Sequence, residues 1–145
     1  MKLAWFRPDE PSLPSAVDDT AALIAELRST HTIELFTAAN AHEFAGKHVR
    51  EPYDLSVCEL DDTPAHAFIW PFLLRHGGVL QLRTSTLHQS RAASLLDAQR
   101  GSDYAAEFTF SHGAQLEQPP IAPPAYPGDW PMLRVPVLAA QIVVV

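Results

Sequence analysis

The sequence predicts a three-layer α/β domain built on a mostly parallel sheet of five to six strands. Three observations predict it. Short apolar or β-branched runs alternate with segments of helical periodicity, the pattern of strand–helix–strand units on a parallel sheet. Hydrophobic residues make up 47% of the chain and charged residues 19%, a balance that supports a packed core and excludes disorder as the default. At 145 residues the chain is one domain long. Folding at that size buries about 68–70% of the unfolded surface, so the core needs no staples.

Lys2–Phe6 reads as the first strand. The loop Arg7–Ser15 holds three prolines, which forbid both helix and ladder pairing. From Ala16 to Ser29 the pattern turns helical: Val17, Ala21, Ile24 and Leu27 recur at three and four. Ser15 caps that start, and Asp18 and Asp19 sit in the favoured first turn. Thr32–Phe36 is the second strand, Ala41–Lys47 a short helix, and Asp54–Cys58 the third strand. Thr63-Pro64 opens a helix to Arg75, because proline suits a first helical turn. Gly77-Gly78 ends it, and Val79–Leu82 is the fourth strand. Ser85–Gln99 and Asp103–His112 are helical, Gln118–Pro131 is a proline-dense connector, and Met132–Ala140 is a short helix strained by Pro136. Gln141–Val145 reads as the fifth strand. The whole is Rossmann-like. The chain stops inside its most apolar run, which predicts a domain cut from a longer protein.

Charge and cysteine content narrow the function classes. Seventeen acidic against ten basic residues give a net charge of −7, which argues against nucleic acid and anionic membranes as partners. Cys58 is the single cysteine, so neither a disulfide framework nor a multi-cysteine zinc site can be built, and a reduced cytoplasm is the expected compartment. The apolar run Ala67–Leu74 falls far short of the ~20 residues that span a bilayer, and no apolar leader follows Met1.

In open α/β sheets ligands bind outside the carboxyl ends of the strands. The relevant loops are Arg7–Ser15, Thr37–Asn40, Glu59–Thr63 and Arg83–Thr86, and none carries a glycine-rich phosphate cradle. That excludes the dinucleotide fingerprint and the P-loop. Glu59-Leu60-Asp61-Asp62 resembles a carboxylate metal site, although capping of the next helix is the favoured reading. His42 and His48 are six residues apart, so their rings face opposite sides of a helix and make no zinc-protease pair. His66 and His88 each follow a strand-end loop and are expected to face one cleft. Cys58 reads as a buried small hydrophobe, and Phe68, Trp70 and Phe72 as core.

Several ordered blocks resemble a known family. Lys2–Phe6 with its proline-rich loop, Pro52-Tyr53-Asp54-Leu55, Leu60 to Pro71, Gly78 to Gln89, Trp130-Pro131-Met132-Leu133 and the closing valines are similar to the N-terminal half of group 1 glycosyltransferases. The resemblance implies the GT-B architecture, with two Rossmann-like domains and the active site between them. The N-terminal domain then holds the hydroxyl acceptor, and a C-terminal domain holds most of the nucleotide-sugar donor. It implies no metal and no other cofactor. It places His66 and His88 as catalytic groups that orient or deprotonate the acceptor. It places Ser15, Asp61, Asp62, Arg83 and Thr84 as substrate-binding residues, Arg83 toward a phosphate or carboxylate.

The chain also departs from that family's pattern. Ser15-Ala16 stand where glycine is usual, Asp61-Asp62 where Gly-Asn is, Arg83-Thr84 where His-Asp is, and His88-Gln89 where a later His-His is. His66 is kept. The expectation is therefore an acceptor-side domain that is inactive alone. The alternative is a Rossmann-like binding or assembly module without turnover. A half-enzyme with an uncovered face is also expected to self-associate.

Overall fold

The computed structural model describes residues 1–9, 19–113 and 130–145. Strands β1 (Lys2–Phe6), β2 (Thr32–Phe36), β3 (Leu55–Leu60), β4 (Val79–Leu82) and β5 (Ile142–Val144) form one sheet of order β2-β1-β3-β4-β5. Every pairing is parallel. The helices are α1 (Asp19–Leu27), α2 (Phe44–Arg50), α3 (Trp70–His76), α4 (His88–Leu96), α5 (Gly101–His112) and α6 (Arg134–Ala139). Short 3₁₀ turns, Ala41–Glu43 and Pro64–Ile69, lead into α2 and α3. The three-layer, Rossmann-like α/β architecture expected from the alternation is the one present. Among the described residues no helix is long and apolar enough to cross a membrane.

Alternation along each strand divides the core between the two sheet faces. On one face Trp5, Val57 and Val79 meet Ile24 and Leu27 of α1, and beside that helix an apolar groove of about 250 Å³ remains. On the other face Ala4, Phe6, Phe36, Cys58, Leu60 and Leu80 meet α2 and α3 through Phe44, Trp70 and Leu73. Phe6 stacks on Phe36 with centroids 5.1 Å apart and on Phe72 at 4.7 Å, and Phe44 meets Phe6 edge-on at 5.0 Å. Such pairs add about 0.5–1.5 kcal/mol each beyond area burial. A satellite cluster of Ala92, Leu95, Tyr104, Phe108 and Met132 joins α4 to α5.

Several boundaries differ from the sequence expectation. β3 runs on through Glu59 and Leu60, because the ladder to Gln81 and Leu82 continues past Cys58. The segment opened by Pro64 is 3₁₀ as far as Ile69, and the α-helix starts at Trp70 with Pro71 in its first turn, where the missing N–H is harmless. α4 begins only at His88, since the Leu87 N–H is donated to the Pro131 carbonyl, and it ends before Gln99, whose φ of 58° is left-handed. Pro136 lies in the first turn of α6, so the expected strain is avoided. The start of the helix expected from Ala16 and most of the connector after Gln118 lie outside the described residues.

Gly78 is fixed by both conformation and space. Its φ is +105°, and a Cβ there would stand 2.3 Å from the Ser56 carbonyl oxygen on β3. Gly46, in α2, has open space around its Cα. Gly78→Ala is expected to destabilise the fold by at least about 2 kcal/mol, and Gly46→Ala to stabilise it by about 0.5–1 kcal/mol. Urea denaturation of both variants checks the contrast; equal midpoints would remove the close-approach argument.

Candidate functional site

In this strand order the chain reverses direction between β1 and β3, so the crevice lies at their carboxyl ends. On the α1 face the period of two places Arg7 beyond Trp5, Glu59 beyond Val57, and Gln81 with Arg83 beyond Val79. The register pairs Glu59 with Gln81 directly. A sheet face that is apolar along its lower rows thus ends in a polar row at the crevice.

Glu59 is the centre of that row. It is 5% exposed. The Arg7 Nε lies 3.6 Å from its Oε2, and the Arg83 Nε 3.8 Å from its Oε1. Arg83 donates from Nη1 to Thr20 Oγ1 at 2.8 Å, and Gln81 Nε2 donates to the same oxygen at 3.3 Å. Thr20 is buried in the first turn of α1, so these bonds tie that helix to the end of β4.

His66 borders the same group. Its ring is 2% exposed, and Nδ1 lies 2.9 Å from Thr63 Oγ1. Burial pushes its pKa down to about 4; Asp61 opposes the shift, and the positive charges of Arg7 and Arg83 reinforce it. The imidazole is therefore neutral at physiological pH.

The carboxylates expected to act together diverge. Asp61 Oδ1 accepts the Asp62 N–H at 2.7 Å. Asp62 Oδ1 accepts the N–H groups of Gln89 at 2.5 Å and Ser90 at 3.2 Å, and so caps α4 from 27 residues away. The helix that follows at Thr63 has no side-chain cap bond, so capping is confirmed in kind but corrected in place. Among the described residues no three or more His, Cys, Asp or Glu side chains could hold a metal ion.

The other expected site residues are dispersed. His88 is fully buried. Its Nδ1 donates to the Trp130 carbonyl at 2.8 Å, since a carbonyl only accepts, and its Nε2 takes the Tyr104 hydroxyl hydrogen at 2.5 Å. Burial holds the Tyr104 hydroxyl up at about 12, so it keeps that proton. The two histidines expected at one cleft are therefore separated: His66 borders the crevice, and His88 clips the Trp130 segment to α5 inside the core. Thr84 lies in the bend after β4, and Ser15 lies outside the described residues. Cys58 is buried with its thiol pushed up to about 12, which makes it a core residue and no nucleophile at neutral pH.

Arg7, Thr20 and Gln81 are not among the residues expected at the site, and Glu59 was expected only as part of a carboxylate cluster with Asp61 and Asp62. The signal that finds Arg7, Glu59 and Gln81 is strand parity: at the carboxyl ends of β1, β3 and β4 the α1 face turns from apolar to polar. No family model, curated protein or solved structure matches the chain.

Asp62→Ala is expected to destabilise the protein by about 1 kcal/mol through loss of the α4 cap, with Asp62→Asn recovering part of it; thermal denaturation checks this. His66 has the opposite linkage to a salt-bridged histidine. Its folded pKa of about 4 lies below the unfolded value of 6.5, so the unfolded state binds more protons between those limits. Its contribution to stability is complete above pH 6.5 and is lost as pH falls toward 4. His66→Gln is expected to flatten the stability–pH profile across that window, and an unchanged profile would show that His66 is not held neutral.

Proposed function

We propose that this chain is the acceptor-side domain of a GT-B glycosyltransferase, which presents a hydroxyl acceptor to a sugar held on a nucleoside diphosphate by a second domain. The observation that carries the reading is the position of neutral His66, beside Asp61, Arg7 and Arg83, at the switch-point crevice of a doubly wound sheet. The family resemblance of the ordered sequence blocks supports it.

Transfer makes a bond between the acceptor oxygen and the anomeric carbon and breaks the bond from that carbon to the diphosphate oxygen. The acceptor proton must leave, and the nucleoside diphosphate departs with the electron pair. When His66 Nδ1 donates to Thr63 Oγ1, Nε2 keeps a lone pair for the acceptor hydroxyl. An imidazole held this far below neutrality is an orienting group first. It becomes a stronger base when a negative charge enters beside it. Alignment to about 3–3.5 Å needs the second domain to close the cleft.

A binding or assembly module without turnover is the second reading. The observation that favours it is the commitment of Asp62 and His88 to internal bonds. Amide NMR of residues 1–145 titrated with uridine and guanosine diphosphate sugars separates the two. The transferase reading expects shifts confined to the ends of β1, β3 and β4, roughly millimolar binding and no nucleotide release. Absence of shifts at those ends would favour the module. Low micromolar binding with steady nucleotide release would show a complete site and overturn the two-domain division.

A further inference from the structure

Three arginines of this chain bond to residues of α5. Arg91 is buried and gives its Nε to both carboxylate oxygens of Glu107, at 2.7 and 2.9 Å, and its Nη2 bonds the same group. Arg100 donates to Asp103 at 2.7 Å, and Arg134 donates to the Phe110 carbonyl at 2.8 Å while lying over the Phe110 ring. Arg83 instead lies in the polar row at the end of β4. Among the described residues its guanidinium makes one hydrogen bond, to Thr20, out of the five donors it offers.

Its carboxylate neighbour does not account for the rest. The 3.8 Å from Arg83 Nε to Glu59 Oε1 is an ion-pair distance and too long for a hydrogen bond. The Arg83 side chain is 27% exposed, whereas that of Glu59 is 7% exposed, so the carboxylate stays inside and the guanidinium reaches the crevice. Arg7, with its side chain 12% exposed, adds a second positive charge on the far oxygen of Glu59. The usual rival for an anion here, the N terminus of α4, is already filled by Asp62. Asp61 and His66, beside the arginines, suit hydroxyl groups.

We propose that Arg83, backed by Arg7, anchors the carboxylate or phosphate of a hydroxyl-rich small molecule, an anionic sugar or polyol, and that Glu59 positions both guanidinium groups for it. In the transferase reading, on which the word acceptor rests, this molecule is the acceptor. The anchor itself needs only the geometry of the polar row. A guanidinium fork held by Thr20 and Glu59 presents a pre-set pair of donors to a planar carboxylate or a phosphate edge. Asp61 Oδ2 and the His66 ring then take hydroxyls of the same ligand.

The test is calorimetry of residues 1–145 at low ionic strength with glucose, glucuronate, glucose 6-phosphate and inorganic phosphate. At least one charged sugar is expected to bind ten or more times as tightly as glucose, and comparison of glucuronate with glucose 6-phosphate identifies the anion. Arg83→Gln is expected to erase that ratio and leave glucose binding unchanged. Arg83→Lys, which keeps the charge and loses the fork, is expected to fall between. Glu59→Gln is expected to weaken the charged sugar and steepen the salt dependence, with Arg134→Gln as the unaffected control. Equal binding of charged and neutral sugars, no binding of charged sugars, or an unchanged ratio in Arg83→Gln overturns the proposal. A preserved ratio without nucleotide-sugar shifts leaves the anchor standing and sinks the transferase reading, so the two failures are distinguishable.

Discussion

Parallel strands cannot be joined by a tight turn, and each crossover must be right-handed. Most of this structure follows from that constraint. Stepping from β1 to β2 and then back past β1 to β3 sends the first helix to one face and the next helices to the other. The aromatic cluster around Phe6, Phe36 and Phe44 then packs on the α2–α3 face, and the aliphatic residues of α1 pack on Trp5 and Val57. The same reversal opens the crevice between the ends of β1 and β3. The site is thus a by-product of how the chain must travel, and its chemistry comes from the residues that end each strand.

Those residues carry an electrostatic burden. A carboxylate and guanidinium a few ångströms apart attract by about 4 kcal/mol at an effective dielectric of about 20, but desolvating each ion costs several kcal/mol. Glu59 lies 3.6 Å from the Arg7 guanidinium and 3.8 Å from that of Arg83. A valine there would continue the apolar face more cheaply. The field of the same two arginines reaches His66 and helps keep it neutral, so the row also sets the protonation state of its neighbour.

The scaffold was more legible in the sequence than the site. Lys2–Phe6, Thr32–Phe36 and Val79–Leu82 are strands with the bounds that their apolar runs suggest, because buried parallel strands leave a strong compositional mark. β3 was cut two residues short for a related reason: Glu59 is charged, and a charge reads as the end of a strand when it is in fact buried within one. That same misreading grouped Glu59 with Asp61 and Asp62 in a loop, when it stands on the strand facing Arg7 and Arg83. His66 was legible from its place after a strand-end loop. His88, equally placed in the sequence, turned inward because Tyr104 and Trp130 offer its ring partners that arrive from 16 and 42 residues away. Asp62 was read as a cap, but which helix it serves depends on tertiary approach. Local pattern carries no information about such long-range pairings.

The Asp62 cap has a consequence for how the chain comes together. α4 is nine residues long, below the length at which an isolated helix persists in water, and its first turn depends on a carboxylate from the loop after β3. Its opening turn cannot be completed as an autonomous local event. It waits for the sheet to bring the two loops into register, and the entropy of closing that long loop must be spent first. The helix therefore belongs to the same cooperative unit as the central strands, and melting of one is melting of both.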